Sequence, residues 1–298
     1  MDTALLADSA RTCLVRGSVF AYHEFGSGLP LLALSGSPAD SRQTIGALEP
    51  VFGDRSGWRR IHLDLPGQGR TPAPDWVRTH DDVLQAVREF LDVVVGDQPV
   101  AVAGISYGAT LTAGLRHRWP ERLLGTLQLS PANDFEPDGL RTPVVVEEPG
   151  FADAMTPDER PFLEMFKVRT RQVLDEVRGS TMPGVVSADE TFLDGLNQGP
   201  RFSFLSEPLA GYGRPAAVIV GRQDPGGYRR LVDQLDLMPR GTLAVLDRAG
   251  HLAFAEQPEL VRALVVEWLD RVEEDVRSGS GLPGSAPAAP SAGQDRQR

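Results

Sequence analysis

Val100-Ala101-Val102-Ala103-Gly104-Ile105-Ser106-Tyr107-Gly108 is the stretch that decides how this 298-residue chain is read. Val100 to Ala103 run without a polar break, which suits a strand buried on both faces. Two glycines then frame a serine in the pattern G-x-S-x-G, and a helical pattern follows from Ser106 to Trp119. Strand, turn and helix in that order predict a turn so tight that side chains beside the serine would collide, so glycine stands on either side. Such a turn lifts the Ser106 hydroxyl clear of the backbone, and the N-terminus of the helix behind it favours negative charge. In isolation the pentapeptide also reads as an ordinary turn of small residues. Its surroundings decide between the two readings.

Upstream, Val19 to Phe25 reads as a strand closed by Gly26-Ser27-Gly28. Leu31 to Leu34 stops at Ser35-Gly36-Ser37-Pro38, and Ile61 to Leu65 stops at Pro66-Gly67-Gln68-Gly69. Thr79 to Val95 reads as a helix, with Val83, Val87, Phe90, Leu91 and Val94 on one face and Thr79 with Asp82 as an N-terminal cap. Downstream, Leu123 to Leu129 is a further apolar run. Strands alternating with helices predict an α/β fold, a mostly parallel sheet covered on both faces. In such sheets ligands sit beyond the carboxyl ends of the strands, so the turns after Leu34, Leu65, Ala103 and Leu129 should crowd around one crevice.

The alternation stops near Asn133 and resumes with the strand Ala216 to Val220, the helix Arg229 to Met238 and the strand Thr242 to Leu246. A closing helix spans Pro258 to Val272, with Leu260, Val261, Leu264, Val265, Trp268 and Leu269 as its apolar stripe. Residues 1–132 and 213–277 therefore read as the core and 133–212 as an insertion that would sit over the crevice as a helical cap. Within it, Pro161 to Val177 is a helix candidate on the spacing of Phe162, Phe166, Val173 and Val177. Residues 278–298, rich in Gly, Pro, Ala and Ser, read as a disordered tail.

A serine hydroxyl needs a base to act as a nucleophile at neutral pH. Of the five histidines, His251 follows the strand ending near Leu246 and should reach the rim that carries Ser106. His23 and His62 fall inside strands, His80 at a helix start, and His117 at the exposed end of the helix after Ser106. The base needs an anion to fix its tautomer and stabilise the imidazolium. Asp224, in Gly221-Arg222-Gln223-Asp224-Pro225, lies just beyond the strand Ala216 to Val220. Taken alone, Asp224 is most simply a turn aspartate before proline. Asp134 is the alternative acid. Backbone N–H groups suit an oxyanion, and Tyr107 and Ser37 are the candidate donors, with Gly36 allowing close approach.

Composition narrows the class. The chain is 41% hydrophobic and 24% charged, so it can bury a sizeable core as one large domain or two small ones. Its net charge of −11 argues against a nucleic-acid partner. One cysteine, Cys13, excludes an internal disulfide and a cysteine-based metal cluster. No run of 18 apolar residues predicts a membrane span, and no secretory signal is visible from Met1 to Gly17, so a cytoplasmic location is expected.

Four segments, Ser35 to Pro38, Leu63 to Arg70, Gly104 to Gly108, and Gly221 to Pro225 with Gly250-His251, resemble the α/β-hydrolase superfamily, and the likeness runs from Val19 to Arg271. The order Ser106, Asp224, His251 is that of the superfamily. The resemblance implies an eight-stranded, mostly parallel sheet, a Ser–Asp–His triad, no cofactor or metal, and a lid inserted between strands six and seven. Ser35-Gly36 stands where many members have His-Gly, and Gln68 where many have histidine, which loosens any link to one branch. Serine at 106, rather than aspartate, argues against haloalkane dehalogenase and epoxide hydrolase chemistry. The expectation is a capped serine hydrolase of an ester, thioester or lactone of a moderately apolar small molecule. Phe151, Met155, Phe162, Met165, Phe166, Phe202, Phe204 and Tyr212 are the available pocket residues. Hydrolysis of carbon–carbon bonds in ring-cleavage dienoates, cofactor-free perhydrolysis, and a cyclase or ligand receptor on the same fold are the alternatives.

Overall fold

The structure is a computed structural model and describes residues 3–131, 143–208, 210–226 and 228–279. From the N-terminus run α1 (Thr3–Ser9), β1 (Ala10–Val15), β2 (Ser18–Phe25), β3 (Leu29–Leu34), α2 (Ser41–Leu48) and β4 (Trp58–Leu63). Next come α3 (His80–Val94), β5 (Val100–Ile105), α4 (Tyr107–Arg118) and β6 (Leu123–Leu129). The inserted segment holds β7 (Val146–Glu147), β8 (Val168–Arg169), α5 (Arg171–Ser180), α6 (Met182–Ser187) and α7 (Glu190–Gln198). The chain closes with β9 (Ala216–Gly221), α8 (Arg229–Leu235), β10 (Gly241–Leu246), α9 (Ala253–Glu256) and α10 (Pro258–Arg277).

Eight strands make one sheet in the order β1-β2-β4-β3-β5-β6-β9-β10. The β1–β2 and β2–β4 pairs are antiparallel and every other pair is parallel. Every residue of β5, β6 and β9 is buried, as continuous apolar runs between two helical layers require. One face of the sheet packs against α3 and α4, through Val83, Val87, Phe90, Leu111 and Leu115. The other face packs against α10, through Val261, Val265, Trp268 and Leu269, and against α2 and the inserted segment. The expected cap of α3 is present: Thr79 Oγ1 accepts the Asp82 N–H, and the Asp82 carboxylate accepts the Thr79 N–H.

Three expectations need correction. Nothing in the sequence announces β1, because Ala10–Val15 is an edge strand with half its residues exposed and no apolar run. Pro161 to Val177 is not one helix: a 3-10 segment at Arg160–Met165, the strand β8 and helix α5 take its place. The reason lies far away in sequence. The backbone N–H groups of Lys167 and Val168 donate to Glu256, and β8 pairs with β7, so these residues are drawn out of any helix. Thr170 then caps the restart at α5 by accepting the Val173 N–H. On α10, Leu260 faces solvent at 46% exposure rather than joining the stripe.

Asp134, and residues 280–298 of the expected tail, lie outside the described residues. No helix among the described residues is long and apolar enough to cross a membrane.

Candidate active site

The turn after β5 has the strain the sequence implied. Ser106 sits at φ 52°, in the left-handed region that non-glycine residues rarely enter. A methyl group on Gly104 would stand 2.1 Å from the Gly108 carbonyl oxygen, and one on Gly108 would stand 2.2 Å from the Leu34 oxygen. Both positions therefore demand glycine. Thr110 N–H and Ala109 N–H close on the Ser106 carbonyl and start α4 directly behind the serine.

His251 and Asp224 reach this turn from β10 and β9. The Ser106 hydroxyl donates to His251 Nε2 at 2.9 Å, and His251 Nδ1–H donates to Asp224 Oδ2 at 2.9 Å. The tautomer follows from the carboxylate, which can only accept. The other oxygen, Asp224 Oδ1, accepts the Gly226 N–H at 2.9 Å, so Asp224 is held at both ends. Asp224 is 2% exposed. Burial works against the His251 imidazolium, but the Asp224 hydrogen bond and charge, with the charge of Glu256, outweigh it and raise its pKa above the ordinary value.

The backbone N–H groups of Ser37 and Tyr107 donate to no other group among the described residues, which leaves both available to an oxyanion. The loop after β3 is close: a methyl group on Gly36 would stand 3.0 Å from Ser106 Cβ. The Tyr107 side chain is half-buried, with its hydroxyl hydrogen-bonded to His80 Nδ1 at 2.9 Å. Burial lowers the His80 pKa below its ordinary value, against the opposing charge of Asp81.

A cavity of about 80 Å³ opens on Ser106 and His251. Gly36 and Ser37 line it on the side of the loop after β3, and Phe162, Met165 and Phe166 on the side of the inserted segment. The other expected pocket residues do not line it. Phe151 packs edge-on against Phe166, with Met155 in the same core cluster. Phe202 packs on His80 and on the Tyr107 ring, Phe204 packs on Phe202, and the Tyr212 ring lies under Arg116. These last three belong to the face of the sheet that holds α3 and α4, where the end of the inserted segment rejoins the core. His117 is not at an exposed end: its ring is 10% exposed and its Nε2–H donates to Glu207 Oε2, 2.9 Å away.

Two residues near the site escaped the sequence reading. Gln43, on α2, accepts the Gly36 N–H with Oε1 at 2.8 Å and lines the cavity. Glu256, on α9, accepts the N–H groups of Lys167 and Val168 with Oε1 at 2.5 and 2.9 Å and that of Gly250 with Oε2 at 2.5 Å. This one carboxylate thus ties the loop that bears His251 to strand β8 of the inserted segment. Burial raises its pKa despite these bonds and the Lys167 charge. The clue in the sequence was a glutamate five residues past His251 in an otherwise apolar turn, a signal too common to single out. Among the described residues no group of three His, Cys, Asp or Glu side chains is placed to hold a metal ion.

The profile of the alpha/beta hydrolase family matches residues 31–264. The chain belongs to this family. Among solved structures, an alpha/beta superfamily hydrolase from Oenococcus oeni PSU-1 is 26% identical, with a TM-score of 0.76, covering 88% of this chain and 99% of its own. A thermophilic esterase from Thermogutta terrifontis is 25% identical, with a TM-score of 0.60, covering 88% of this chain and 97% of its own. An epoxide hydrolase from Bacillus megaterium, at 17% identity and a TM-score of 0.65, covers 87% of this chain and 100% of its own and shares the fold. A search of curated protein sequences gives no match. Family membership, with esterase and hydrolase neighbours, supports a hydrolase.

Proposed function

We propose that the protein hydrolyses an ester, thioester or lactone of a small, moderately apolar molecule through an acyl-enzyme on Ser106. The observation that carries this reading is the line of two 2.9 Å hydrogen bonds from Ser106 through His251 to Asp224 at the mouth of an apolar cavity. His251 Nε2 takes the hydroxyl proton as Ser106 Oγ attacks the carbonyl carbon. The oxyanion that forms is met by the N–H groups of Tyr107 and Ser37. His251 then gives its proton to the leaving alkoxide, and a water attacks the acyl-enzyme by the same route in reverse roles.

The base contributes about 10²–10⁴-fold and each oxyanion donor about 10²–10³-fold. Asp224 keeps Nδ1 protonated, so that Nε2 remains the acceptor. A serine nucleophile fits ester cleavage better than the opening of an epoxide, the chemistry named for one of the structural neighbours. The test is turnover of a p-nitrophenyl ester by the purified protein and its Ser106→Ala variant. Loss of turnover with unchanged circular dichroism supports the reading. Equal turnover by the variant contradicts it.

A further inference from the structure

The cavity beside Ser106 is not uniformly apolar. Apart from Ser37, Ser106 and His251, its polar side chains are Gln43 and Thr181, which stand together. Both are buried, at 5% and 8% exposure. The orientation of the Gln43 amide is dictated by the Gly36 N–H, which can only donate and therefore fixes Oε1 at its end, 2.8 Å away. Nε2 must then point the other way, toward Thr181 Oγ1 at the junction of α5 and α6. That contact is 3.5 Å, at the outer limit of a hydrogen bond, and uses one of the two amide hydrogens. Among the described residues, the Thr181 hydroxyl has the Ser180 hydroxyl, 3.4 Å away, as its one further side-chain partner. A buried pair thus holds a donor with spare capacity inside an otherwise apolar chamber.

We infer that Gln43 and Thr181 form a polar subsite that recognises an oxygen acceptor on the acyl group of the substrate, a short oxo- or alkoxy-acid rather than a plain alkanoic acid. The inference rests on the proposed ester hydrolysis. The point occupied by a methyl group on Gly36 would be 3.0 Å from Ser106 Cβ and 3.3 Å from Gln43 Oε1. The carboxamide oxygen is therefore a small group's width from the reacting serine, and Nε2 lies on its far side, toward Thr181, so the oxygen it would meet stands back from the acyl carbon along the acyl chain. The volume agrees. A cavity of about 150 Å³ holds benzene, so 80 Å³ holds roughly half as many heavy atoms.

The sign of the effect separates this subsite from a plain apolar pocket. In an apolar pocket, replacing a methylene by oxygen loses affinity, because a polar atom is buried without a partner. In the subsite it gains affinity, because an amide hydrogen that a plain chain would leave unpaired is satisfied. The expected preference is about 10- to 100-fold.

Two matched pairs of ethyl esters test it: methoxyacetate against butyrate, and 3-oxobutanoate against 3-methylbutanoate. Acid release in a pH-stat gives kcat/KM, and each value is divided by that ester's hydroxide hydrolysis rate constant to remove intrinsic reactivity. The expected result is a preference for the oxygen-bearing ester in at least one pair. Gln43→Leu should reverse it, and Thr181→Val, which leaves the Gly36 bond intact, should reduce it. The ratio within each protein is the readout, since Gln43→Leu also loosens the Gly36 loop. Calorimetric binding of the same esters to the Ser106→Ala protein gives a second ratio that needs no turnover. A preference in binding without turnover by the wild type keeps the subsite and discards the hydrolase reading. Turnover with ratios at or below one in both pairs discards the subsite and keeps the hydrolase. An oxygen preference that survives Gln43→Leu also overturns the subsite.

Discussion

Replacing Asp224 by asparagine should disable the site without disturbing its shape. The structure dictates how the new amide would lie. Asp224 Oδ1 accepts the Gly226 N–H and Oδ2 accepts from His251 Nδ1, each at 2.9 Å. An amide has one oxygen, and the Gly226 N–H claims it, because a backbone donor cannot turn into an acceptor. The amide nitrogen then faces Nδ1 and donates to it. The imidazole is forced into the tautomer with its proton on Nε2, which faces Ser106 Oγ and can no longer accept. The expected loss in kcat is about 10⁴-fold, or about 5.4 kcal/mol of barrier. The assay is the pH dependence of p-nitrophenyl ester hydrolysis. In the wild type the base is the neutral imidazole, so activity falls as pH drops through the His251 pKa, which stands above the ordinary 6.5 or so. The residual activity of Asp224→Asn should lose that limb to lower pH, because the raising charge is gone. A variant within about tenfold of the wild type at all pH values would refute the tautomer argument.

Glu256→Gln keeps volume but has a single acceptor oxygen for three backbone N–H groups on two segments. Thermal unfolding should show a loss of about 1–3 kcal/mol, and the acid limb of the rate profile should move to lower pH because a charge that raises the His251 pKa is removed. An unmoved limb with reduced stability would assign Glu256 to folding alone. Glu49 accepts from His62 and Arg60, and although burial opposes its ionisation, these partners lower its pKa to about 2. Its folded value lies below its unfolded one, so its stabilisation is present above about pH 4 and is lost as pH falls toward about 2. Glu49→Gln should therefore cost about 3 kcal/mol at pH 7 and little near pH 2, read from urea denaturation at the two pH values. Equal loss at both would remove the linkage.

The elements that came through from sequence were those whose signal is local. Continuous apolar runs such as Val100 to Ala103, the Thr79–Asp82 cap and the glycines around Ser106 each state their own conformation, and the strand order then places four turns on one rim. Ser106, Asp224 and His251 could be named because each stands just past a strand end. The misread elements depend on partners far along the chain. Glu256 pulls Lys167 and Val168 out of a helix whose apolar spacing was sound, and no periodicity near residue 167 announces that carboxylate. The pocket residues show the same limit. Phe162 and Phe202 are equally large and apolar, yet one faces the cavity and the other stacks on Tyr107 across the sheet, a choice made by where the inserted segment crosses back to the core. Edge strand β1 was silent because an exposed edge needs no apolar run.

The central claim is that Ser106 carries the acyl group between the two halves of the reaction. Mass spectrometry of the protein, acid-quenched within milliseconds of mixing with a p-nitrophenyl ester and then digested, tests it directly. The account predicts a mass increase equal to the acyl group on the peptide containing Ser106, appearing with the first burst of p-nitrophenol and decaying at the turnover rate. Turnover with the acyl group on another peptide, or with Ser106 unmodified in a protein that releases a full burst, would contradict it.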